Sequence, residues 1–187
     1  MNFSTERIYL IGYMASGKTS IGQALAGRLG YDFYDTDSSI ELIEDKTISE
    51  IFASMGEAYF RTLEKEVLNL TLDLDRTVIA TGGGLPIPDN NMTDMLHSGI
   101  TIFLDTPEEV LIKRLSNDIN RPLHRNKENL ISEMNARLKS RKMTYREAHL
   151  TVGLTDHKAI IDHIMTCLLY TSPSPRYQRG SRMPSSA

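Results

Sequence analysis

Two periodicities of apolar residues take turns along this chain. Short runs rich in β-branched and aromatic residues, at 7–11, 31–34, 77–81, 100–105 and 150–154, suit a pleated surface and predict strands. Helical spacing fills the intervals. Ile21, Leu25 and Leu29 mark one helix, and others are expected at 38–45, at 47–74 with a break near Gly56, at 89–97, at 128–148 and on to about residue 169. Two helix starts carry capping boxes, in which the first and fourth residues satisfy each other's amides. They are "TISE" (47–50), pairing Thr47 with Glu50, and "TPEE" (106–109), with Thr106 as N-cap, Pro107 at the first helical position and Glu109 closing the box. The polar stretch at 117–127 has neither period and reads as a mobile loop. Strands alternating with helices build a parallel sheet covered on both faces. An α/β domain is therefore predicted, with no repeat and no second domain.

Composition narrows this picture. At 187 residues, 40% hydrophobic and 24% charged, the chain suits one buried core in water. No apolar run approaches a membrane span, and the first residues lack the regions of a signal peptide. A cytoplasmic protein with no membrane partner is expected. The single cysteine, Cys167, cannot form an internal disulfide, which agrees with a reducing compartment. Net charge is −3 even though Arg176, Arg179 and Arg182 all lie near the end, so the remainder is more acidic still. That excludes general nucleic-acid binding and leaves anionic ligands to a few placed cations and backbone amides. Residues 170–187 are rich in Ser, Pro and Arg and hold too little apolar surface to offset their ordering entropy. They read as a disordered tail, closer in character to translated vector sequence than to a native terminus, which leaves 1–169 as the folded domain. The histidines show no metal-ligand spacing.

"GYMASGKT" (12–19) changes the picture more than any composition does. It matches G-x-x-x-x-G-K-[ST] in full, directly after a predicted strand and directly before a predicted helix. In that setting the backbone amides cradle phosphates, the helix N-terminus adds partial positive charge, Lys18 reaches the β- and γ-phosphates, and Thr19 offers its hydroxyl to Mg²⁺. The nucleotide positions are then Gly12, Ala15, Ser16, Gly17, Lys18, Thr19 and Ser20. An apolar strand ending in Asp105 imitates a second metal carboxylate, but the following N-cap and proline explain it as a strand end.

A phosphate loop does not say what receives the phosphate. No guanine-specificity motif is present, and no long switch or motor region. A small-molecule kinase needs an acceptor pocket, a group to orient the attacking hydroxyl and a cover against water. "GYMASGKT", "DTD" (35–37), "FRTLE" (60–64), "TGGG" (81–84), "RPL" (121–123) and "YR" (145–146) stand in an order and spacing that resemble the shikimate kinase family, over about residues 7–169. The resemblance implies a three-layer α/β/α fold of the nucleoside-monophosphate-kinase type, with a five-stranded parallel sheet. A mobile substrate-binding segment at about 36–62 and a lid at about 116–127 come with it, in a monomer. It also implies the reaction, transfer of phosphate from ATP to the 3-hydroxyl of shikimate in aromatic amino acid biosynthesis, with Mg²⁺ as cofactor.

Residue roles follow from the same resemblance. Arg61 and Arg146 match the arginines that grip the shikimate carboxylate, and Gly82, Gly83 and Gly84 the turn that helps hold the acceptor. Glu64, one turn after Arg61, could orient that arginine or contact a substrate hydroxyl. Arg121 matches the lid arginine over the phosphates, a role that nearby Arg125 could share. Arg114 matches the residue that stacks on adenine, whereas 154–157 matches the base loop only weakly. Asp35 resembles the carboxylate that meets Mg²⁺ through water, and Asp37 the partner of the acceptor hydroxyl. On an extended chain these two would face the same way, and Asp37 could also cap a helix starting at Ser38. A related kinase acting on another acceptor such as gluconate, or a nucleotide-binding module without catalysis, are the rival readings.

Overall fold

The computed structural model describes residues 7–116 and 127–171. In chain order the elements are β1 (Arg7–Ile11), α1 (Lys18–Leu29), β2 (Asp32–Asp35), α2 (Thr36–Glu44), α3 (Ile48–Thr71) and β3 (Thr77–Ala80). Then follow α4 (Asn91–Ser98), β4 (Ile100–Leu104), α5 (Glu108–Ser116), α6 (Lys127–Tyr145), β5 (Leu150–Val152) and α7 (His157–Thr171). The five strands are all parallel, in the order β2-β3-β1-β4-β5. As the resemblance implied, this is an α/β fold with helices on both faces of one sheet.

Side-chain alternation along the strands sorts the core into two halves. On one face Ile8, Leu10, Val78, Ile102 and Leu104 meet Ile21 and Leu25 of α1 and Ile160 and Ile164 of α7. On the other, Tyr9, Ile11, Ile79 and Phe103 meet Leu68 of α3, Met92 and Met95 of α4 and Tyr145 of α6. Strands β3 and β4 are buried at every position, which is why their sequences are mostly apolar, with only a threonine in each, rather than alternating. Each such aliphatic side chain removed from water contributes about 1.5–3 kcal/mol. The Arg28–Asp162 pair that also joins α1 to α7 is half-exposed on both sides and adds little beside them.

Two helix starts differ from the sequence expectation. Helix α2 begins at Thr36, with Asp35 as its N-cap accepting from the amides of Asp37 and Ser38; Asp37 therefore lies inside the first turn and caps nothing. Helix α5 begins at Glu108, and the first amide bonds of its opening turn, from Val110 and Leu111, go to the Pro107 carbonyl. Thr106 thus stands outside the helix and uses its buried hydroxyl to donate to the Ser16 carbonyl at 3.2 Å. The other box is as expected: Thr47 and Glu50 cap α3 reciprocally. The predicted break in α3 falls at Gly56, whose φ of 82° and ψ of 174° interrupt the helix in a conformation that glycine adopts without a Cβ penalty.

Candidate active site

The C-terminal ends of β1, β2 and β3 carry the loops that the motifs occupy, at the edge where open α/β sheets bind ligands. After β1 the chain turns through Gly12–Gly17 into α1. Gly17 is the N-cap of α1, with φ of 95° and no capping side chain, so no side chain occupies the helix start, where backbone amides can receive an anion. Lys18 is folded back over the loop, donating to the carbonyls of Gly12 at 2.9 Å and Tyr13 at 2.8 Å. Burial pushes its ammonium down to about 8, against the opposing charges of Asp37 and Asp35. Three hydrogen-bonding carbonyl and hydroxyl oxygens (Gly12, Tyr13 and Ser16) hold the amine where phosphate oxygens would replace them.

The two aspartates are brought together by a strand-to-helix turn rather than by an extended chain. Asp35 ends β2 and divides its carboxylate. One oxygen, Oδ1, receives the Asp37 and Ser38 amides at 3.1 and 3.2 Å, and the other, Oδ2, receives the Thr19 hydroxyl at 2.8 Å. Asp37 points instead toward the glycine turn after β3. A Cβ on Gly82 would collide with the Asp37 carboxylate and lie 3.1 Å from Glu64 Oε1, while one on Gly84 would collide with the Arg61 guanidinium. At these glycines two carboxylates and an arginine pack against the bare backbone, and any larger residue would have to displace them.

Arg61 and Glu64 come from the second half of α3, past the Gly56 break. Arg61 pairs with Glu64 at 2.5 Å and with Glu57 at 2.7 Å. Glu64 is buried, and burial raises its carboxyl above the usual range against the opposing Arg61 charge, with Asp37 adding to the rise. The ion pair with Arg61 fits the orienting role for Glu64, and its other oxygen faces Gly82. The turn itself is held from three further elements. Gly82 donates its amide to the buried Thr36 hydroxyl at 2.8 Å, Asn91 donates to the Leu85 carbonyl at 2.8 Å, and the Tyr145 hydroxyl donates to the Gly83 carbonyl at 2.5 Å.

Helix α6 supplies a residue that the sequence reading missed. Arg141 reaches the Gly83 carbonyl at 3.4 Å and lies over the Tyr13 ring, 6.0 Å from its centroid. Its charge acts on Lys18, Glu64 and Tyr145. Arg146, expected at the site, is exposed and lies just beyond the helix, where only its amide closes the last turn onto Lys142 and Met143. No spacing in the sequence marks Arg141; its place follows from the face of α6 that meets the turn after β3.

Beside the phosphate loop a cavity of about 370 Å³ is lined by Ala15, Gly17, Ser20, Arg114, Thr155 and His157 among others. Arg114 donates to the Ala15 carbonyl at 2.9 Å, so the expected adenine residue and the weakly matching 154–157 loop face one space. Asp105 pairs with Lys142 at 2.8 Å, consistent with its being set aside as a metal carboxylate. Arg121 and Arg125 fall outside the described residues. Among the described residues no group of three or more His, Cys, Asp or Glu could hold a metal, and no helix is long and apolar enough to cross a membrane.

A phosphate loop with its lysine, a hydroxyl–carboxylate pair beside it and a glycine turn faced by carboxylates and arginines are the parts of a P-loop kinase of small molecules. The family model of shikimate kinase matches residues 14–169, and the chain belongs to the shikimate kinase family. A shikimate kinase of Microcystis aeruginosa is 42% identical over 164 residues, covering 86% of this chain and 85% of the relative. That of Synechococcus sp. strain CC9902 is 43% identical over 179 residues, covering 94% and 93%. Among solved structures, shikimate kinase from Acinetobacter baumannii in complex with shikimate superposes with a TM-score of 0.82 at 37% identity, over 89% of this chain and 94% of that one. A gluconokinase from Sinorhizobium meliloti, at 16% identity and TM-score 0.57, shares the fold alone.

Proposed function

We propose that this site transfers the γ-phosphoryl group of ATP to the 3-hydroxyl of shikimate, in aromatic amino acid biosynthesis. The observation that carries the reading is the convergence of Asp37, Glu64 and Arg61 on the Gly82–Gly84 backbone beside the phosphate loop. A small ring bearing a carboxylate and several hydroxyls needs cations at one end and hydroxyl partners at the other. Arg61 and Arg141 are the cations, since a guanidinium can grip a carboxylate with two parallel bonds; an acceptor carboxylate would share Arg61 with Glu57 and Glu64. Asp37 accepts from the attacking hydroxyl and holds it in line with the phosphorus; because phosphoryl transfer is loose, orientation outweighs proton removal. Lys18 balances charge on the phosphates, and Arg121 is assigned the same task on the family resemblance. Arg114 and the 154–157 segment form the wall for adenine. The same reading takes the enzyme to be a cytoplasmic monomer.

The donors beside the loop suit Mg²⁺. Thr19 Oγ1 and Asp35 Oδ2, 2.8 Å apart, are hard oxygens, and so small a set suits an ion that keeps water and takes its remaining ligands from phosphate. Bound there, Mg²⁺ would neutralise charge on the β- and γ-phosphates. Thr19 would ligate it through its hydroxyl and Asp35 through water.

The test is ADP release from ATP with Mg²⁺, measured with shikimate, with gluconate and without acceptor. Turnover dependent on shikimate is expected. ATP binding without shikimate-dependent turnover would move the chain to the binding-module class, and turnover on gluconate would reassign the acceptor.

Lys18 adds a pH dependence whose sign is fixed. Its amine titrates near 8 in the free site, and only the ammonium form attracts phosphate. ATP affinity is therefore expected to hold up to about pH 8 and then fall toward tenfold per pH unit. Fluorescence titration of nucleotide between pH 6.5 and 9.5 checks this, and a flat profile to pH 9.5 would contradict it.

A further inference from the structure

The Gly83 carbonyl, in the turn after β3, receives two side chains from the same helix. Tyr145 donates to it at 2.5 Å and Arg141 at 3.4 Å. Tyr145 is fully buried, its ring packed on Phe103 with centroids 5.2 Å apart, so its hydroxyl has no freedom to leave. Burial pushes the phenol up to about 12, so it remains a donor at any assay pH. Neither the phosphate chemistry nor the ring's packing requires that hydroxyl.

We propose that Tyr145 is a positioning residue for acceptor binding: by occupying the Gly83 carbonyl it keeps Arg141 from collapsing onto the glycine turn and leaves its guanidinium directed at the substrate carboxylate. The two donors compete for one oxygen. The short bond belongs to the neutral phenol and the long one to Arg141, which also lies within hydrogen-bonding reach of the phenol and rests over the Tyr13 ring. Without the hydroxyl, the half-buried carbonyl would keep Arg141 as its side-chain donor, and an enclosed acceptor that loses one partner draws in the other. Arg141 would then close on Gly83, and the acceptor would meet an arginine already engaged. The turn would keep its other ties, from Thr36 and Asn91, so the fold does not hang on this bond.

The inference rests on the shikimate reading, and the experiment separates the two. Shikimate-dependent turnover of the unmodified chain tests the function itself. In Tyr145→Phe, which keeps the ring, KM for shikimate is expected to rise about tenfold, with kcat changed less than threefold and ATP affinity unchanged. In an Arg141→Ala background the same exchange should change KM by less than twofold, since coupled residues are not additive. A tenfold rise in both backgrounds, or a loss in kcat alone, would overturn the proposal. Arginine side-chain NMR on the unmodified chain supplies a second measurement that does not use Tyr145→Phe. An ordered Arg141 Nε–H signal, assigned by its loss in Arg141→Ala, is expected before shikimate is added. Its appearance only on adding shikimate would also overturn the proposal.

Discussion

Asp37→Asn is expected to lower kcat by about 10²–10⁴-fold, while affinity for ATP at pH 6.5 changes less than about threefold. The exchange is isosteric and leaves the local fold intact, because Asp37 contributes its backbone amide, not its side chain, to the cap of α2. What it removes is the carboxylate packed against Gly82 and beside Glu64, where the acceptor hydroxyl must sit. An amide can accept from that hydroxyl only weakly and cannot take its proton. The pH is part of the design. Asp37 helps keep Lys18 charged, so above pH 7 the variant would lose nucleotide affinity for a reason unrelated to the acceptor. Steady-state kinetics with nucleotide titration separate the two effects. Lost ATP binding at pH 6.5 would refute the division of labour between Asp35 and Asp37.

The second large effect separates two arginines five residues apart. Arg141→Ala is expected to raise KM for shikimate by about 30-fold or more, because removing one partner of an enclosed ion pair costs about 2–5 kcal/mol. Arg146→Ala is expected to stay within about twofold of the unmodified enzyme. Arg141 reaches the glycine turn, whereas Arg146 is exposed past the helix end. Kinetics on the two variants side by side decide the matter, and the reverse order of effects would restore the reading from "YR".

That reversal shows what kind of information the sequence carries. The phosphate loop was legible in full, since every element of its mechanism is local: glycine loop, lysine, hydroxyl and helix start are consecutive. The parallel sheet was legible from runs whose lack of polar alternation reflects burial on both faces. Arg141 was hidden because its importance depends on which face of α6 meets the β3 turn, a tertiary fact. A two-residue motif at the helix end drew attention to the wrong side of that boundary. The Asp105–Lys142 pair joins residues too far apart for any spacing rule. The start of α2 was misplaced by two residues because two aspartates competed for the cap, and propensity alone cannot rank them; the one that closes the strand won.

The divided carboxylate of Asp35 leaves that position unusually few substitutes. Asparagine would still cap α2 through its oxygen, yet it would turn an uncharged amide toward Thr19. Glutamate would keep the charge, but its extra methylene would carry one oxygen past the amides of Asp37 and Ser38. Serine and threonine could cap and do nothing more. Only a side chain with two equivalent oxygens on one short stem can start the helix and face the phosphate loop at once. At this residue, tolerance for folding and tolerance for chemistry are the same narrow set.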